Sequence, residues 1–170
     1  KMAALRKLQA RPDEAAQLFS QALSRAPDDL IVLQDYLVSL VESKQAQQAD
    51  RVLDQYLTKA PRDPNLWRLA GRMYVSQGKT DQAEKAFRKA VELAPDVALV
   101  HYELGQLYLL ERKLPAAESA FQTALKKDEN NSEVHTALGV VLASQGRVDA
   151  ANVHYKRAFQ LNPQNVVAAN

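Results

Sequence analysis

Residues 64–97 read PNLWRLAGRMYVSQGKTDQAEKAFRKAVELAPDV and contain two amphipathic segments separated by Gly78. In the first segment, residues 64–77, bulky and small apolar side chains recur on one face at spacings of three, four and seven residues. The second segment, residues 81–94, repeats this spacing with alanine, phenylalanine and valine. Because this period belongs to α-helices and not to strands, the stretch predicts a pair of helices.

The rest of the chain repeats this stretch, so that residues 64–97 are one full period. We call the recurring positions the repeat grid, and every glycine of the chain lies on it. A fixed period of this length without insertions is typical of a repeat array. The clearest grid positions are proline at Pro27, Pro61, Pro95 and Pro163 with Glu129 at the vacant point, alanine at Ala15, Ala49, Ala83, Ala117 and Ala151, and a large residue four positions later at Phe19, Leu53, Phe87, Phe121 and Tyr155.

The glycines have two predicted roles. Gly71, Gly105 and Gly139 fall in the middle of predicted helices, where glycine costs about 1 kcal/mol relative to alanine. A cost repeated at one position of the grid indicates a steric need, and we predict close approach of the two helices of a repeat. Gly78 and Gly146 lie just past the first helix, where a left-handed residue often ends a helix.

Short polar residues mark the predicted helix starts. Aspartate and asparagine have the side chains preferred for capping free backbone amides, and proline is tolerated in a first turn. The predicted caps of the first helices are Asp29, Asp63, Asn131 and Asn165. Val97 departs from this pattern, although Asp96 is adjacent to it. The residues expected near the starts of second helices are Asp81, Asp149, Pro12 and Pro115.

Taken together, these residues resemble the tetratricopeptide repeat (TPR) family. The pattern is carried by Trp67, Ala70-Gly71, Tyr74, Ala83, Phe87, Ala90 and Pro95 in one repeat, by His101, Leu104-Gly105, Tyr108, Ala117, Phe121 and Ala124 in the next, by His135, Leu138-Gly139, Leu142, Ala151, Tyr155, Ala158 and Pro163 in the last, and more weakly by Leu33, Tyr36-Leu37, Leu40, Ala49, Leu53, Tyr56 and Pro61. The resemblance implies an all-α fold, a right-handed α-solenoid of antiparallel helix pairs. It divides the chain into a partial repeat at 1–29, full repeats at 30–63, 64–97, 98–131 and 132–165, and the start of a further repeat at 166–170. On this basis we expect a single array, cut from a longer one.

The family also implies where a partner binds, because its first helices line a concave groove. The groove positions supply apolar, arginine and tyrosine side chains, which suit a helix or an extended segment of a partner protein. A carboxylate clamp of the chaperone-binding type is not expected, since Glu103 and Glu133 stand where such a clamp needs other side chains; an asparagine ladder is also absent. The predicted partner-binding residues are Asn65, Arg68, Leu69, Arg72, Leu99, Tyr102, Glu103, Gln106 and Leu109.

Other kinds of site are not expected. The chain has no cysteine and a net charge of +2, so nothing indicates a thiolate metal site or a nucleic-acid partner, and no apolar run is long enough for a membrane span. His101 and His135 share a grid position with Trp67, which predicts packing and not metal binding, and His154 is not expected to join them. We find no catalytic motif, so we predict no catalytic residue, metal or cofactor.

The predicted function is therefore a non-catalytic scaffold for protein–protein interaction. An alternative left open by the sequence is self-assembly, in which open repeat ends stack on another copy as a homo-oligomer. A third is a catalytic domain outside this stretch. The Ala-, Gln- and Leu-rich, cysteine-free composition resembles bacterial arrays, which favours an envelope assembly or secretion system and a periplasmic or envelope-associated location.

Overall fold

The computed structural model describes residues 11–164, and within that range the chain forms nine α-helices and no strand. First helices of 13 residues alternate with second helices of 14, as the repeat predicts. Their bounds are α1 Pro12–Arg25, α2 Leu30–Glu42, α3 Ala46–Lys59, α4 Pro64–Ser76, α5 Thr80–Leu93, α6 Ala98–Leu110, α7 Leu114–Lys127, α8 Ser132–Ser144 and α9 Val148–Leu161. The expected repeat start at 166–170 and the cap at Asn165 lie outside the described residues.

Most first helices begin with the predicted cap. The Asp29 carboxylate accepts hydrogen bonds from the backbone N–H groups of Ile31 and Val32, and Asp63 and Asn131 cap α4 and α8 in the same way. Each such cap stabilises its helix by roughly 1 kcal/mol. Val97 makes no side-chain cap at α6. The neighbouring Asp96 instead accepts a hydrogen bond from Lys127 Nζ at 2.6 Å.

The second helices begin near the predicted residues, but α9 has no carboxylate cap. Asp149 lies in the first turn of α9 and does not cap it, because the capping position belongs to Arg147, whose side chain makes no cap bond. Asp81 likewise lies in the first turn of α5. A carboxylate there still acts favourably on the positive end of the helix dipole. Pro12 and Pro115 occupy first-turn positions, as expected.

A left-handed residue follows four first helices. Gly78 and Gly146 have φ of +72° and +78°, which confirms their predicted role. The same grid position is filled by Lys44 and Arg112, with φ of 63° and 57°. A side chain in this conformation costs about 1–2 kcal/mol, so these two turns keep a glycine conformation without a glycine.

The described residues group into two compact units, one ending at Lys79 and the other beginning at Thr80. In unit 1 the fully buried side chains of α2, α3 and α4 include Leu33, Leu53 and Leu66. In unit 2, α6 packs on α7 and α8 on α9, each pair joined by three residues, and Phe121 and Val134 are fully buried. Each unit therefore has its own apolar core.

The mid-helix glycines of unit 2 are sites of close helix approach. A Cβ placed on Gly105 would lie 2.6 Å from Cε1 of Phe121, and one on Gly139 would lie 2.5 Å from Cε1 of Tyr155. Real side chains do not approach so closely, so the predicted steric need for glycine is confirmed at both positions. In unit 1 the corresponding grid residues are Leu37 and Leu53, both fully buried. Residues 30–63, the full repeat that lacks the mid-helix glycine, thus also lack the aromatic ring that packs against it in unit 2.

Candidate protein-interaction site

The predicted contact residues of unit 1 lie on α4, and we call Asn65, Arg68, Leu69 and Arg72 the α4 face. Asn65 and Arg72 are exposed. The Arg68 guanidinium donates a hydrogen bond from Nη1 to Oδ1 of Asn65 at 3.0 Å. Leu69 is only 6% exposed and offers little surface to a partner. The α4 face is therefore mainly polar and carries two arginines.

The predicted contact residues of unit 2 lie on α6, and we call Leu99, Tyr102, Glu103, Gln106 and Leu109 the α6 face. Leu99 is 42% exposed and Gln106 is exposed, whereas the other three side chains are half-buried. The structure places all five on one stretch of α6, within a unit whose core lies behind them.

Tyr102 is held in position by two contacts. Its ring packs against Phe121 with the ring centroids 5.9 Å apart, and its hydroxyl accepts a hydrogen bond from Nε2 of Gln106. Burial raises the pKa of Tyr102, and the nearby carboxylates of Glu133 and Glu103 raise it further against the opposing Gln106 hydrogen bond. The hydroxyl therefore stays protonated at neutral pH, beside acidic groups.

Two further aliphatic side chains of unit 2 also remain partly in water. Leu110, at the end of the same helix, is 62% exposed, and Val140 on α8 is half-buried. Aliphatic and aromatic side chains that remain in water gain free energy when a partner covers them. Among residues 11–164 no group of three or more His, Asp or Glu side chains is arranged to hold a metal ion.

Comparison with known families agrees with the helix pairs and the repeat period. The profile described as the cytochrome c-type biogenesis protein H TPR domain matches residues 52–169. The chain belongs to this TPR family. A second tetratricopeptide repeat profile matches residues 8–73. The TPR resemblance of the sequence is thereby confirmed.

Solved structures share the TPR fold with this chain. A thermophilic TPR protein of Thermus thermophilus superposes with a TM-score of 0.73 at 22% identity, covering 99% of this chain and 92% of that one. MamA residues 41 to the end, from Desulfovibrio magneticus RS-1, give 0.70 at 21% identity, covering 94% and 92%. At such identities the likeness concerns the fold alone, and it confirms the all-α TPR solenoid class. A search of curated proteins gives no match.

In the TPR array, His101 and His135 take the place of Trp67, as predicted. The Trp67 indole donates from Nε1 to the carbonyl oxygen of Pro61 at 2.8 Å. Nε2 of His101 lies 2.8 Å from the carbonyl oxygen of Pro95, and Nε2 of His135 lies 3.0 Å from that of Glu129. Each ring thus bonds the backbone six residues earlier, which ties a first helix to the turn before it.

The prediction that His154 stands apart was wrong. Its Nδ1 lies 3.0 Å from Nδ1 of His135, because α9 packs on α8 and brings the two rings together. Burial lowers the pKa of His154, and the charge of His135 lowers it further. Since the carbonyl oxygen of Glu129 can only accept, Nε2 of His135 donates to it, and Nδ1 of His135 faces Nδ1 of His154.

A series of ion pairs between successive repeats was missed at the level of sequence. An acid on one second helix meets a base that lies 29 residues further along the chain, in the next repeat: Asp50 with Lys79, Glu84 with Lys113, and Glu118 with Arg147. Lys113 holds the pKa of Glu84 below its ordinary value, and Arg147 does the same for Glu118. The signal was present, because the acids share one position of the repeat grid and the bases share another.

The TPR fold and its relatives support a scaffold for protein–protein interaction as the general function of this chain. TPR arrays are generally non-enzymatic. None of the helices described between residues 11 and 164 is long and apolar enough to cross a bilayer.

Proposed function

We propose that the α6 face binds a helical or extended segment of a partner protein, and that the partner takes part in cytochrome c biogenesis in the bacterial envelope. The observation that carries the proposal is the set of aliphatic and aromatic side chains left partly in water on one helix, Leu99, Tyr102 and Leu109. The family profile supplies the process. The composition of the sequence favours the envelope.

Tyr102 is the expected centre of binding energy. Tyrosine is enriched among interface residues whose truncation costs about 2 kcal/mol or more. Its ring is already fixed by Phe121 and its hydroxyl by Gln106, so little side-chain entropy is lost when a partner arrives. Glu133 and Glu103 lie close enough to act on its hydroxyl, which favours a partner segment with basic residues beside its apolar ones.

The α4 face is a second proposed contact surface, of different chemistry. Arg72 is exposed there beside Asn65 and Arg68. Arginine recognises carboxylates through paired hydrogen bonds, so this face suits acidic or carbonyl-rich parts of a partner.

Self-assembly is the second candidate function, and a specific observation favours it. Two side chains of α9 remain largely in water, Val153 at 66% and Phe159 at 43% exposure. A second copy that packs on α9 would bury them. This contact would lie on a different helix from the α6 face, so the two candidates can be separated by mutation.

The test compares two double variants of matched chemistry. Leu99→Ala/Tyr102→Ala alters the α6 face, and Val153→Ala/Phe159→Ala removes an aliphatic and an aromatic side chain from α9. Binding of heme-free cytochrome c polypeptide is measured by calorimetry, and mass is measured by light scattering over a range of concentrations. The proposal expects binding to weaken at least tenfold only in the first variant.

The opposite result is equally definite. Binding that is absent, or that survives the first variant unchanged, overturns the proposal. A mass that rises with concentration, and stops rising only in the second variant, favours self-assembly instead.

A further inference from the structure

The first repeat junction that the structure describes has a groove open to solvent, which we call the cavity, and its polar lining side chains other than Tyr36 are exposed. It lies in unit 1 between α1, α2 and α3, with a volume of about 560 Å³, within the range of small-ligand sites. Its lining residues on α2 are Tyr36 and Leu40, which are not among the residues predicted to face a partner. The cavity is therefore separate from the α4 and α6 faces.

The repeat grid explains why the cavity exists. At the next junction of unit 1, Asp50 binds both Lys79 and Gln77, beside the Tyr74 ring. One period earlier the four corresponding residues are all smaller or uncharged. Ala16 stands in the place of Asp50, and Gln45 in the place of Lys79. Ser43 corresponds to Gln77, and Leu40 to Tyr74.

The lining is rich in hydrogen-bonding groups and carries one charge. Asp13 supplies a carboxylate that accepts a hydrogen bond from Gln45 Nε2 at 3.1 Å. Tyr36 contributes a hydroxyl that accepts from Gln48 Nε2 at 3.4 Å. Ser20 and two further glutamines complete the polar lining. None of the described residues that line the cavity is basic.

We propose that this cavity binds an arginine side chain, with its guanidinium on the Asp13 carboxylate. A guanidinium presents five N–H donors in a plane and no acceptor, and the lining offers carboxylate, hydroxyl and amide oxygens. The later junctions also pair a basic group with an acid, because each of them places its own lysine or arginine against an aspartate or glutamate. At the junction of α1 with α2, none of the described lining residues supplies this base, and the ligand would supply it.

The experiment titrates the protein with N-acetyl-arginine amide and follows the side-chain amide signals of the glutamines by NMR. We expect saturable shifts at Gln45 and Gln48. The neutral analogue N-acetyl-citrulline amide, which keeps the shape and loses the charge, should bind at least tenfold more weakly. A short alanine peptide with one central arginine, run in parallel, distinguishes a free amino acid from a partner chain as the source.

Three variants provide the controls. Asp13→Asn should weaken binding at least tenfold, because a charged acceptor is lost. Asp81→Asn, at the same grid position two repeats later, should leave it unchanged. Leu40→Tyr/Gln45→Lys introduces the ring and the base of the next junction, and should abolish binding while the thermal midpoint stays close to the wild-type value.

The proposal is overturned if citrulline binds as well as arginine, or if Asp13→Asn and Asp81→Asn behave alike. It is also overturned if the refilled cavity still binds. None of these variants touches the α4 or α6 face, so failure here leaves the proposed function of those faces unaffected.

Discussion

Replacing Gly105 with alanine tests the packing rule of the repeat. The added methyl group would lie 2.6 and 2.7 Å from two ring carbons of Phe121. That ring is fully buried, so it cannot swing into solvent to make room. Either the ring leaves its preferred position or α6 and α7 move apart.

Two opposing free energies decide the outcome. Overpacking of a dense core costs about 1–3 kcal/mol. Alanine in place of a mid-helix glycine returns about 1 kcal/mol through its higher helix propensity. The expected net loss of unfolding free energy is about 1 kcal/mol, which corresponds to about 2–4 °C in melting temperature for a chain of this size.

The assay is urea denaturation of the single variants and of Gly105→Ala/Phe121→Leu. Phe121→Leu alone leaves a gap beside the glycine, and the alanine fills part of it. The double variant should therefore lose less stability than the sum of the two single losses, with a coupling free energy of about 0.5 kcal/mol or more.

A matched comparison is available at Gly139. Tyr155 is half-buried, so its ring has more freedom to shift, and Gly139→Ala should cost less than Gly105→Ala. The reasoning is refuted if Gly105→Ala is more stable than the wild type, or if the two changes in the double variant are simply additive.

Four further variants each change a single position. Arg112→Gly should raise the unfolding free energy by about 0.5–1 kcal/mol, because φ at this residue is 57°, and Gly78→Ala should lower it by a similar amount in the same denaturation assay. The pKa of Glu118 is lowered in the folded state, chiefly by Arg147. The stability that this carboxylate contributes is therefore fully present above the ordinary carboxyl pKa and is lost as the pH falls through the folded pKa. Below about pH 4.5, the unfolding free energy of Glu118→Gln should depend less on pH than that of the wild type. The pKa of His154 is also lowered in the folded state, so the unfolded chain binds more protons and stability should fall as the pH drops below about 6.5. NMR titration should find the low pKa of His154. His154→Gln should remove this fall in stability with pH.

The fold could be predicted almost entirely from the repeat. Periodicity in residues 64–97 indicated both helices to within a residue or two, because each apolar face has to meet its neighbour. The mid-helix glycines were also informative. Glycine lowers helix stability, so its recurrence indicates that a neighbouring side chain, such as the Phe121 ring, leaves no room for a Cβ. Local chemistry also identified the caps at Asp29 and Asp63.

What escaped prediction depends on contacts between helices. Lys44 and Arg112 adopt a left-handed turn because the helices on both sides require it, although neither residue favours it. The approach of His154 to His135 depends on how α9 packs on α8, which a spacing of 19 residues does not reveal. Predicting the cavity at Asp13 required knowing that Ala16 and Leu40 leave space where Asp50 and Tyr74 stand one repeat later.

The ion pairs between repeats also limit the order in which repeats can be joined. Residues 98–131 carry both a base, Lys113, and an acid, Glu118, so a duplicate inserted after itself would find its charge partner at the new junction. Residues 30–63 have Gln45 at the position of the base. If a copy of residues 30–63 followed residues 98–131, Glu118 would face the amide of this glutamine in place of a base. A repeat can therefore be duplicated with its charge partners kept only where it carries both the base and the acid.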